Sequence, residues 1–419
     1  MFQPVRGTHD FLPEEMSKHL LVIEKARQIS CCYGFEEIQT PIFEFSGVFH
    51  RLGETSDIIS KETYSFEDRG GEALTLRPEG TAPVMRAVLS NGLTQNIPLK
   101  FFYQGPMFRY DRPQKGRYRQ FHQIGAELVG PAVAEADAEV IALAQALIES
   151  LKFSDEVMLH LNTLGDKESR ALYREALVTY FSKYQQDLSK ESQTRLEQNP
   201  LRILDSKDAK DQKLLTEAPL FGDFLTTEAQ VFFEAVQEKL NLLGVSFHLN
   251  PRLVRGLDYY CHTAFEFVSE ALGAQGTVLA GGRYDGLLKN MGGPDLPGVG
   301  WAGGVERLQE LMSLEPQKQV LISLIPMGAE AAGVLFKLAN DLRKSGFRVD
   351  LGYSGNMSKR LKKANRLQAK VAVLLGEDEL ESRQVTVRDL ETGVQNHVAF
   401  EGLKDYLKEI LQSRKESFS

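Results

Sequence analysis

Cysteine is scarce in this chain of 419 residues, and several familiar targeting signals are missing. The three cysteines, Cys31, Cys32 and Cys261, are odd in number and include one adjacent pair, so they form neither a disulfide framework nor a CxxC zinc half-site. No run of roughly 18 uninterrupted apolar residues occurs, which excludes a membrane-spanning helix. The opening sequence MFQPVRGTHDFLPEEM contains no apolar run and predicts no signal peptide. We therefore expect a soluble cytoplasmic protein.

The common nucleotide-binding motifs are also missing. The dipeptide Gly-Lys does not occur, which excludes a P-loop, and neither HExxH nor a GxGxxG that follows a strand in a βαβ unit is present. Lys and Arg number 49 against 57 for Asp and Glu, a net charge of −8. Bulk charge therefore cannot hold a nucleic acid, and any such partner must meet a local basic surface. A bound triphosphate would need arginines on a sheet instead of a glycine loop.

What is present is the composition of a globular protein, with 42% hydrophobic, 9% aromatic and 25% charged residues. The length predicts two or three folding units. Periodicity predicts, in order, a helix over 15–33, strands within 64–77 and 99–129, a helix over 135–151, a polar helical insertion over about 165–245 and a linker at 314–319. We expect an α+β domain on an antiparallel sheet over 1–316, and an α/β domain over 317–419 where strands alternate with helices.

The densest polar cluster is the segment GPMFRYDRPQKGRYRQFHQIGAE at 105–127, which predicts a strand, a basic loop and a returning strand. Guanidinium groups match phosphate oxygens, so the arginines of this loop suit a polyphosphate or a nucleic-acid end. On the returning strand, the period of two places Gln123 and Glu127 on one face and His122 on the other, toward the core. A solvated hairpin with a cationic tip is the alternative. The two polar side chains in an otherwise buried strand favour a bound ligand.

A second cluster lies in LRPEGTAPVMR at 76–86. Glu79, Gly80 and Thr81 provide a carboxylate, an approachable backbone and a hydroxyl, a set that suits an ammonium group. The same residues also form a plain turn that would cap the helix starting at Ala82, and without other information the turn is the better interpretation.

The segment LVRGLDYYCHTAFEF at 253–267 begins with Arg255 and continues to Tyr259 and Tyr260. Two adjacent tyrosines on a strand point to opposite faces, so at most one of them would normally reach a given pocket. A tyrosine buried in the core is the commoner outcome.

Two glycine-rich segments follow. LAGGRYDGL at 279–287 carries Tyr284 after a glycine pair, and PGVGWAGGVERL at 297–308 ends in a helix with Glu306 and Arg307 in its early turns. Glycines let a ligand lie close to the backbone, and the start of a helix favours an anion. A helix packed tightly against a sheet is the alternative.

Taken in order, these segments resemble the class II aminoacyl-tRNA synthetases and, within that class, the histidyl-tRNA synthetases, over essentially the whole chain. The matching segments are 35–59 with Pro41 for motif 1, the dimer element; 105–127 with Arg109 for motif 2; 297–308 with Arg307 for motif 3; and RGLDYY at 255–260 and GGRYDG at 281–286 for signatures of the histidine enzymes. The resemblance implies an antiparallel catalytic sheet, a helical insertion and a C-terminal anticodon-binding α/β domain.

The resemblance also implies roles for individual residues. They are histidine binding by Glu79, Gly80, Thr81, Arg109, Gln123, Glu127, Arg255, Tyr259, Tyr260 and Tyr284; ATP binding by Arg109, Arg117, Phe121 and Arg307; catalysis by Arg109 and Arg255; and contact with the tRNA acceptor end by Arg112, Gln114 and Arg117. The implied reaction activates L-histidine with ATP and Mg²⁺, without a prosthetic group, and transfers histidine to tRNA(His). The implied assembly is a homodimer. Acceptors for both imidazole nitrogens would reject side chains that lack them.

Basic residues crowd the segment 343–370, where Asp350 is the lone acidic residue. SGNMSKRLKKANR predicts a helix capped by Asn356 or Ser358, with a cationic face for RNA phosphates. That face consists of Lys359, Arg360, Lys362, Lys363 and Arg366. A solubilising face is the alternative.

Two other functions are considered. One is a synthetase-like regulatory subunit without catalysis, and the other is a class II synthetase for proline, threonine or glycine. The C-terminal domain and the intact signatures argue against the first, and RGLDYY with Glu127 argues against the second.

Overall fold

The computed structural model describes residues 2–50, 57–112, 116–317 and 319–416. Gln114, predicted to contact the tRNA acceptor end, lies outside the described residues, as do residues 51–56 of the segment that resembles motif 1. The chain divides into two units, Met1–Pro316 and Gln317–Ser419. Over the described ranges, no helix has both the length and the apolar character needed to cross a bilayer.

The first unit interleaves strands and helices along the chain. Its strands are β1 Glu36–Glu37, β2 Phe43–Phe45, β3 Tyr64–Glu67, β4 Ala73–Leu76, β5 Leu99–Phe108, β6 Gln120–Val129, β7 Met158–Thr163, β8 His248–Leu249, β9 Cys261–Val268, β10 Thr277–Arg283 and β11 Gly298–Gly304. Its helices are α1 Pro13–Cys32, α2 Gly47–His50, α3 Asp57–Lys61, α4 Thr81–Ser90, α5 Ala134–Ser150, α6 Lys167–Ser182, α7 Lys190–Gln198, α8 Ala209–Leu215, α9 Thr227–Leu242, α10 Leu287–Asn290 and α11 Val305–Leu311.

The larger sheet of this unit has eight strands in the order β1-β5-β6-β11-β10-β9-β7-β8. Strands β5, β6, β11, β10, β9 and β7 pair antiparallel, and the short strands β1 and β8 pair parallel at the two edges. The antiparallel catalytic-type sheet predicted from the sequence is therefore confirmed. Its centre brings β6 beside β11, so that Glu127 is the register partner of Gly300.

The two faces of the sheet have different neighbours because strand side chains alternate. On one face, Ile124 and Ala126 of β6 and Trp301 of β11 are buried in a core with residues of α1, α5, α9 and α11. His122 shares this face, as predicted, and its Nδ1 lies 3.0 Å from Oε1 of Glu306. The opposite face of β6 carries Gln123 and Glu127, which are 9% and 0% exposed. Both polar side chains therefore need partners on that buried face.

A smaller sheet in the order β2-β4-β3 carries exposed apolar side chains. Ile42, Phe43, Phe45 and Phe66 are 42%, 49%, 57% and 46% exposed. Exposed apolar residues that cluster in this way mark a surface suited to a partner.

Helices α6 to α9 lie between β7 and β8 in the chain. Helices α6 to α8 and the segments that join them have a core of their own, whereas α9 buries Val236 and Leu240 in the core under the larger sheet. We call residues 166–242 the helical module. Asp166, Ser189, Asp208 and Thr226 cap its helices with side-chain oxygens, as expected for these residue types. The buried apolar residues of α6, α7 and α8 pack against one another.

The second unit is a five-stranded sheet with helices. Its strands are β12 Leu321–Pro326, β13 Arg348–Leu351, β14 Val371–Leu375, β15 Gln384–Asp389 and β16 Gln395–Ala399, and its helices are α12 Ala329–Lys344, α13 Met357–Arg366, α14 Glu377–Glu381 and α15 Leu403–Glu416. The strand order is β13-β12-β14-β15-β16, with β13, β12 and β14 parallel and the last two strands antiparallel. Strands β12 and β14 are buried along their length, as is usual for parallel strands between helices.

Candidate active site

A cavity of about 320 Å³ opens on the polar face of the larger sheet. It is lined by ten of the residues predicted to bind ligands, namely Glu79, Thr81, Arg109, Arg117, Phe121, Gln123, Arg255, Tyr259, Tyr260 and Arg307. They come from segments that are far apart in sequence, which the strand order brings together. The cavity therefore joins the basic hairpin, the 76–86 segment, the tyrosine pair and the start of α11 in one place.

Three predicted residues lie just behind the cavity wall, and a fourth, Arg112, follows the lining residue Asp111 without lining the cavity itself. Gly80, Glu127 and Tyr284 do not line the cavity, but Oε1 of Glu127 accepts a 2.7 Å hydrogen bond from the hydroxyl of Thr81, which does. Arg112 is exposed and does not line the cavity. The carboxylate of Glu127 thus reaches the cavity through Thr81.

Glu127 is enclosed by hydroxyl groups. Its second oxygen accepts a 2.5 Å hydrogen bond from the phenol of Tyr284. Burial raises the pKa of Glu127 to about 8, and the negative charge of Glu79 acts in the same direction, while the two hydroxyl donors oppose it. The side chain has no space for a larger neighbour, because a Cβ atom on Gly300 would overlap Oε2 of Glu127.

Glu79 caps helix α4 and also faces the cavity. Its two oxygens accept hydrogen bonds of 2.7 and 2.8 Å from the backbone N–H groups of Thr81 and Ala82. The turn predicted as the alternative is therefore present. Burial raises the pKa of Glu79, while these backbone donors and the charge of Arg109 oppose the shift. Each carboxylate oxygen can accept more than one hydrogen bond, so the cap leaves acceptor capacity for a ligand.

Arg109 and Arg307 bring positive charge to the cavity, and within the described part of the chain neither forms an ion pair with a carboxylate. Arg109 Nε donates 2.9 Å to the carbonyl of Pro78, and its guanidinium lies 5.1 Å from the centre of the Phe121 ring. Arg307 donates 2.5 Å to the carbonyl of Thr277. Burial lowers the pKa of both arginines, and for Arg307 the charges of Arg117 and Arg109 lower it further. A bound polyanion would relieve both effects.

Arg255 is paired with a carboxylate that the sequence analysis did not single out. It forms an ion pair with Glu266 of β9, whose other oxygen accepts a 3.1 Å hydrogen bond from Thr277. Burial acts to lower the pKa of Arg255, but the charge of Glu266 outweighs it and the pKa is raised. Nε of Arg255 is buried and has no acceptor among the described residues. Glu266 interrupts the apolar run of β9, which was the available signal for it.

Tyr259 and Tyr260 both line the cavity, so the prediction that at most one of them would reach it is wrong. Their ring centres are 4.6 Å apart with planes inclined at 40°. Alternation does not apply to them because β9 begins only at Cys261, after both residues. Burial raises the pKa of both phenols, which therefore stay neutral donors at ordinary pH.

The basic residues of helix α13 in the second unit do not form one exposed face. Lys359, Lys362 and Arg366 are exposed. Arg360 instead donates to the carbonyl of Pro326, and Lys363 pairs with Asp350 at 3.0 Å. Asn356, one of the two predicted caps, accepts a 3.0 Å hydrogen bond from the backbone of Lys359.

Comparison with known proteins gives one consistent family. The family model described as histidyl-tRNA synthetase matches residues 7–308, and the model described as anticodon binding domain matches 319–410. Histidine–tRNA ligases of Gluconacetobacter diazotrophicus and Rhodospirillum rubrum are 56% and 53% identical over 97% and 98% of this chain, and over 98% and 99% of their own lengths. The solved structure of apo histidyl-tRNA synthetase from S. aureus is 34% identical, with a TM-score of 0.82 over 97% of this chain and 99% of that one. On these matches, and with the predicted resemblance confirmed, this chain belongs to the histidyl-tRNA synthetase family.

Proposed function

We propose that this chain is a histidine–tRNA ligase, an ATP-dependent enzyme of protein synthesis. It activates L-histidine with ATP to give histidyl-adenylate and pyrophosphate, and it then transfers histidine to the 3′ end of tRNA(His). The observation that carries the proposal is the single cavity lined by Arg109, Arg255 and Arg307 together with Glu79 and Gln123. Cationic groups for a triphosphate and acceptors for an amino acid meet there.

The amino group of histidine would bind to Glu79, Thr81 and Gln123. The carbonyl oxygen Oε1 of Gln123 is buried without a hydrogen-bond partner among the described residues, and Glu79 retains acceptor capacity after capping α4. A buried acceptor without a donor is unfavourable until a ligand supplies one. An ammonium group carries three donors and would satisfy both side chains.

The imidazole ring would lie near Tyr260 and Glu127, the latter acting from behind Thr81, with Tyr259 and Tyr284 completing the pocket. Glu127, with its pKa raised to about 8, holds a proton near neutral pH and can change its proton state when the ring binds. An analogue without ring nitrogens would leave buried polar groups unpaired, which supplies selectivity.

The role predicted for Gly80 is different in the structure, because a Cβ atom at this position would overlap the ring of Tyr103 and Gly80 does not line the cavity. Glycine at this position makes room for that ring behind the pocket.

ATP would bind through the arginines. Arg109 would hold the α-phosphate and Arg307 the γ-phosphate, while Arg117 and Phe121 help to seat the nucleotide. The histidine carboxylate attacks the α-phosphorus in line, pyrophosphate leaves, and Arg109 with Arg255 stabilises the charge that develops on the phosphate oxygens.

Magnesium would enter with ATP as part of the substrate. Among the described residues, no group of three or more His, Cys, Asp or Glu side chains is arranged to hold a metal ion. Mg²⁺ commonly keeps several waters and binds through substrate phosphates and one or two carboxylates. We therefore propose that phosphate oxygens supply most of its ligands.

The tRNA would meet both units. The acceptor end would reach the cavity beside Arg112, Gln114 and Arg117. The second unit would bind the anticodon stem with the basic residues of α13, among which the exposed ones, Lys359, Lys362 and Arg366, are best suited to phosphate contacts. Arg360 and Lys363 would contribute mainly by holding that helix in place. Because tRNA charging serves cytoplasmic translation, we assign the enzyme to the cytoplasm.

We also propose a homodimer formed through the smaller sheet. Phe43 and Phe45 of β2 are 49% and 57% exposed, and Phe66 of β3 is 46% exposed on the same sheet. A second copy would bury these rings, and the segment 35–59 that resembles the class II dimer element contains β2.

Amino-acid-dependent pyrophosphate exchange tests the proposed activity directly. Of the standard amino acids, histidine alone should support exchange. Arg255→Ala should reduce the rate about 100- to 1000-fold, because loss of one well-placed donor to a transition-state oxyanion has that effect. Arg69→Ala, which removes an exposed arginine of the same unit, is the matched control. Exchange with another amino acid, or with none, would refute the proposal; the second result would favour a regulatory subunit.

A further inference from the structure

The segment RGLDYY at 255–260, which we call the tyrosine loop, is held from behind by the helical module. Arg255, Leu257, Tyr259 and Tyr260 line the cavity, whereas Asp258 does not. Asp258 lines a smaller cavity of about 30 Å³, which module residues and three other residues of the loop, Arg255, Leu257 and Tyr260, also line. Asp258 therefore takes no part in the proposed chemistry, although its neighbours Leu257 and Tyr259 line the cavity.

Three module residues bind this loop. Nδ2 of Asn199 donates 2.9 Å to Oδ1 of Asp258, and Nη2 of Arg202 donates 3.1 Å to the same oxygen and 2.6 Å to the carbonyl of Gly256. Arg170 of α6 donates 2.9 Å to the carbonyl of Tyr260 and 3.3 Å to that of Asp258. The backbone carbonyls of 256, 258 and 260 are thus all bound by module arginines.

The hydrogen bonds from the module hold the tyrosine loop in place, since the loop is not part of a helix or a strand. Residues 253–260 belong to neither a helix nor a strand, since β9 begins at Cys261. Asp258 and Arg202 are only 19% and 11% exposed, so their charged hydrogen bond is partly shielded from water. The carbonyls of residues 256, 258 and 260 accept hydrogen bonds from the module, while Tyr259 and Tyr260 line the main cavity.

We propose that Arg170, Asn199, Arg202 and Asp258 are positioning residues, through which the helical module holds the tyrosine loop over the substrates. This inference rests on the proposed function and adds a role in histidine activation to the module. The module then contributes to histidine activation although none of its residues is among those that line the main cavity. A misplacement of the loop by about 1 Å would be enough to lower the rate about 100-fold.

The test uses Asp258→Ala, Asp258→Asn and Arg202→Ala in the full chain, with Arg252→Ala as the control. Asn retains an oxygen that can accept from Asn199 and Arg202, so Asp258→Asn should retain much of the wild-type activity. Arg252 donates 3.1 Å to a module carbonyl, that of Thr216, and is outside the tyrosine loop. Both alanine variants of the network should lose about 10- to 100-fold in kcat/KM for histidine. The control should stay within about twofold.

Amide hydrogen exchange of the peptide covering 253–261 supplies a readout that does not depend on activity. We expect faster exchange in Asp258→Ala and Arg202→Ala than in wild type, and unchanged exchange in the core strands β10 and β11. Unchanged loop exchange together with kcat/KM within about twofold of wild type would overturn the inference. If wild type lacks histidine-dependent activity, the proposed function fails, while the exchange result still decides whether the module holds the loop.

Discussion

Replacing Glu127 by glutamine should make the stability of the first unit less dependent on pH. Its carboxyl group is 0% exposed, and burial raises its pKa to about 8, assisted by the charge of Glu79 and opposed by the hydroxyls of Tyr284 and Thr81. Glutamine has nearly the same volume and cannot ionise. The substitution therefore removes the titration and leaves the packing almost unchanged.

The sign and the size follow from the two pKa values. The ordinary value is 4.5 and the folded value about 8, so the folded protein binds this proton more tightly than the unfolded chain does. The contribution of Glu127 to stability is fully present below about pH 4.5 and is lost as the pH rises through about 8. Each pH unit well inside this window changes the unfolding free energy by about 1.4 kcal/mol. Between about pH 5.5 and 7.5, wild type should lose about 2.5 kcal/mol relative to Glu127→Gln.

Trp301 provides the assay. It is the sole tryptophan of the chain, is 2% exposed and belongs to the core under the larger sheet, so its fluorescence reports on the first unit alone. Urea unfolding of both proteins across the pH range gives the difference in free energy. Glu36→Gln, at an exposed position, is the control. A difference between wild type and Glu127→Gln that stays constant within about 0.5 kcal/mol would refute the buried, protonated carboxyl.

Three further predictions concern packing, assembly and tRNA binding. Gly300→Ala should lower the unfolding free energy by about 1–3 kcal/mol, because the added methyl overlaps Glu127 and must displace it; an unchanged urea midpoint would contradict this. Phe45→Asp should shift light scattering to the 47.0 kDa mass of one chain, whereas a variant that stays dimeric would exclude the smaller sheet as the interface. Lys362→Glu should weaken tRNA binding and lower the slope of the logarithm of the binding constant against the logarithm of salt concentration by about one. Pyrophosphate exchange, which needs no tRNA, should not change. An unchanged slope would exclude Lys362 from phosphate contact.

The elements of the fold were predictable where the signal is local. The helix predicted over 135–151 is α5, Ala134–Ser150, because its apolar spacing is read within a few turns. The helix predicted from SGNMSKRLKKANR is α13, Met357–Arg366, and Gln368 beyond its end has a φ of 57°. Strand order was not readable from periodicity, since the pairing of Glu127 with Gly300 joins residues far apart in the chain. The resemblance to a known family implied an antiparallel sheet but gave no strand order.

The candidate site was predictable for residues whose chemistry stands out and not for those that support them. Arg109 was singled out in the basic loop because clustered guanidinium groups match phosphate oxygens, and Arg307 because it lies at a helix start after several glycines; both line the cavity. Glu266 and Asp258 were not singled out, because nothing in the neighbouring sequence shows that a carboxylate will pair with an arginine from another segment. Such pairs become visible only when strands and loops are placed in space.

Glu79 can act both as the cap of helix α4 and as an acceptor for the substrate. Glu79 caps α4 through two backbone hydrogen bonds, which by itself would explain its burial. The same bonds fix the carboxylate against rotation, so that its remaining lone pairs face the cavity at a defined place. Because the carboxylate is already ordered, the binding free energy of a ligand is not reduced by the entropy lost in ordering that side chain. The helix cap therefore contributes to substrate binding, and the structural role of Glu79 is part of its proposed function.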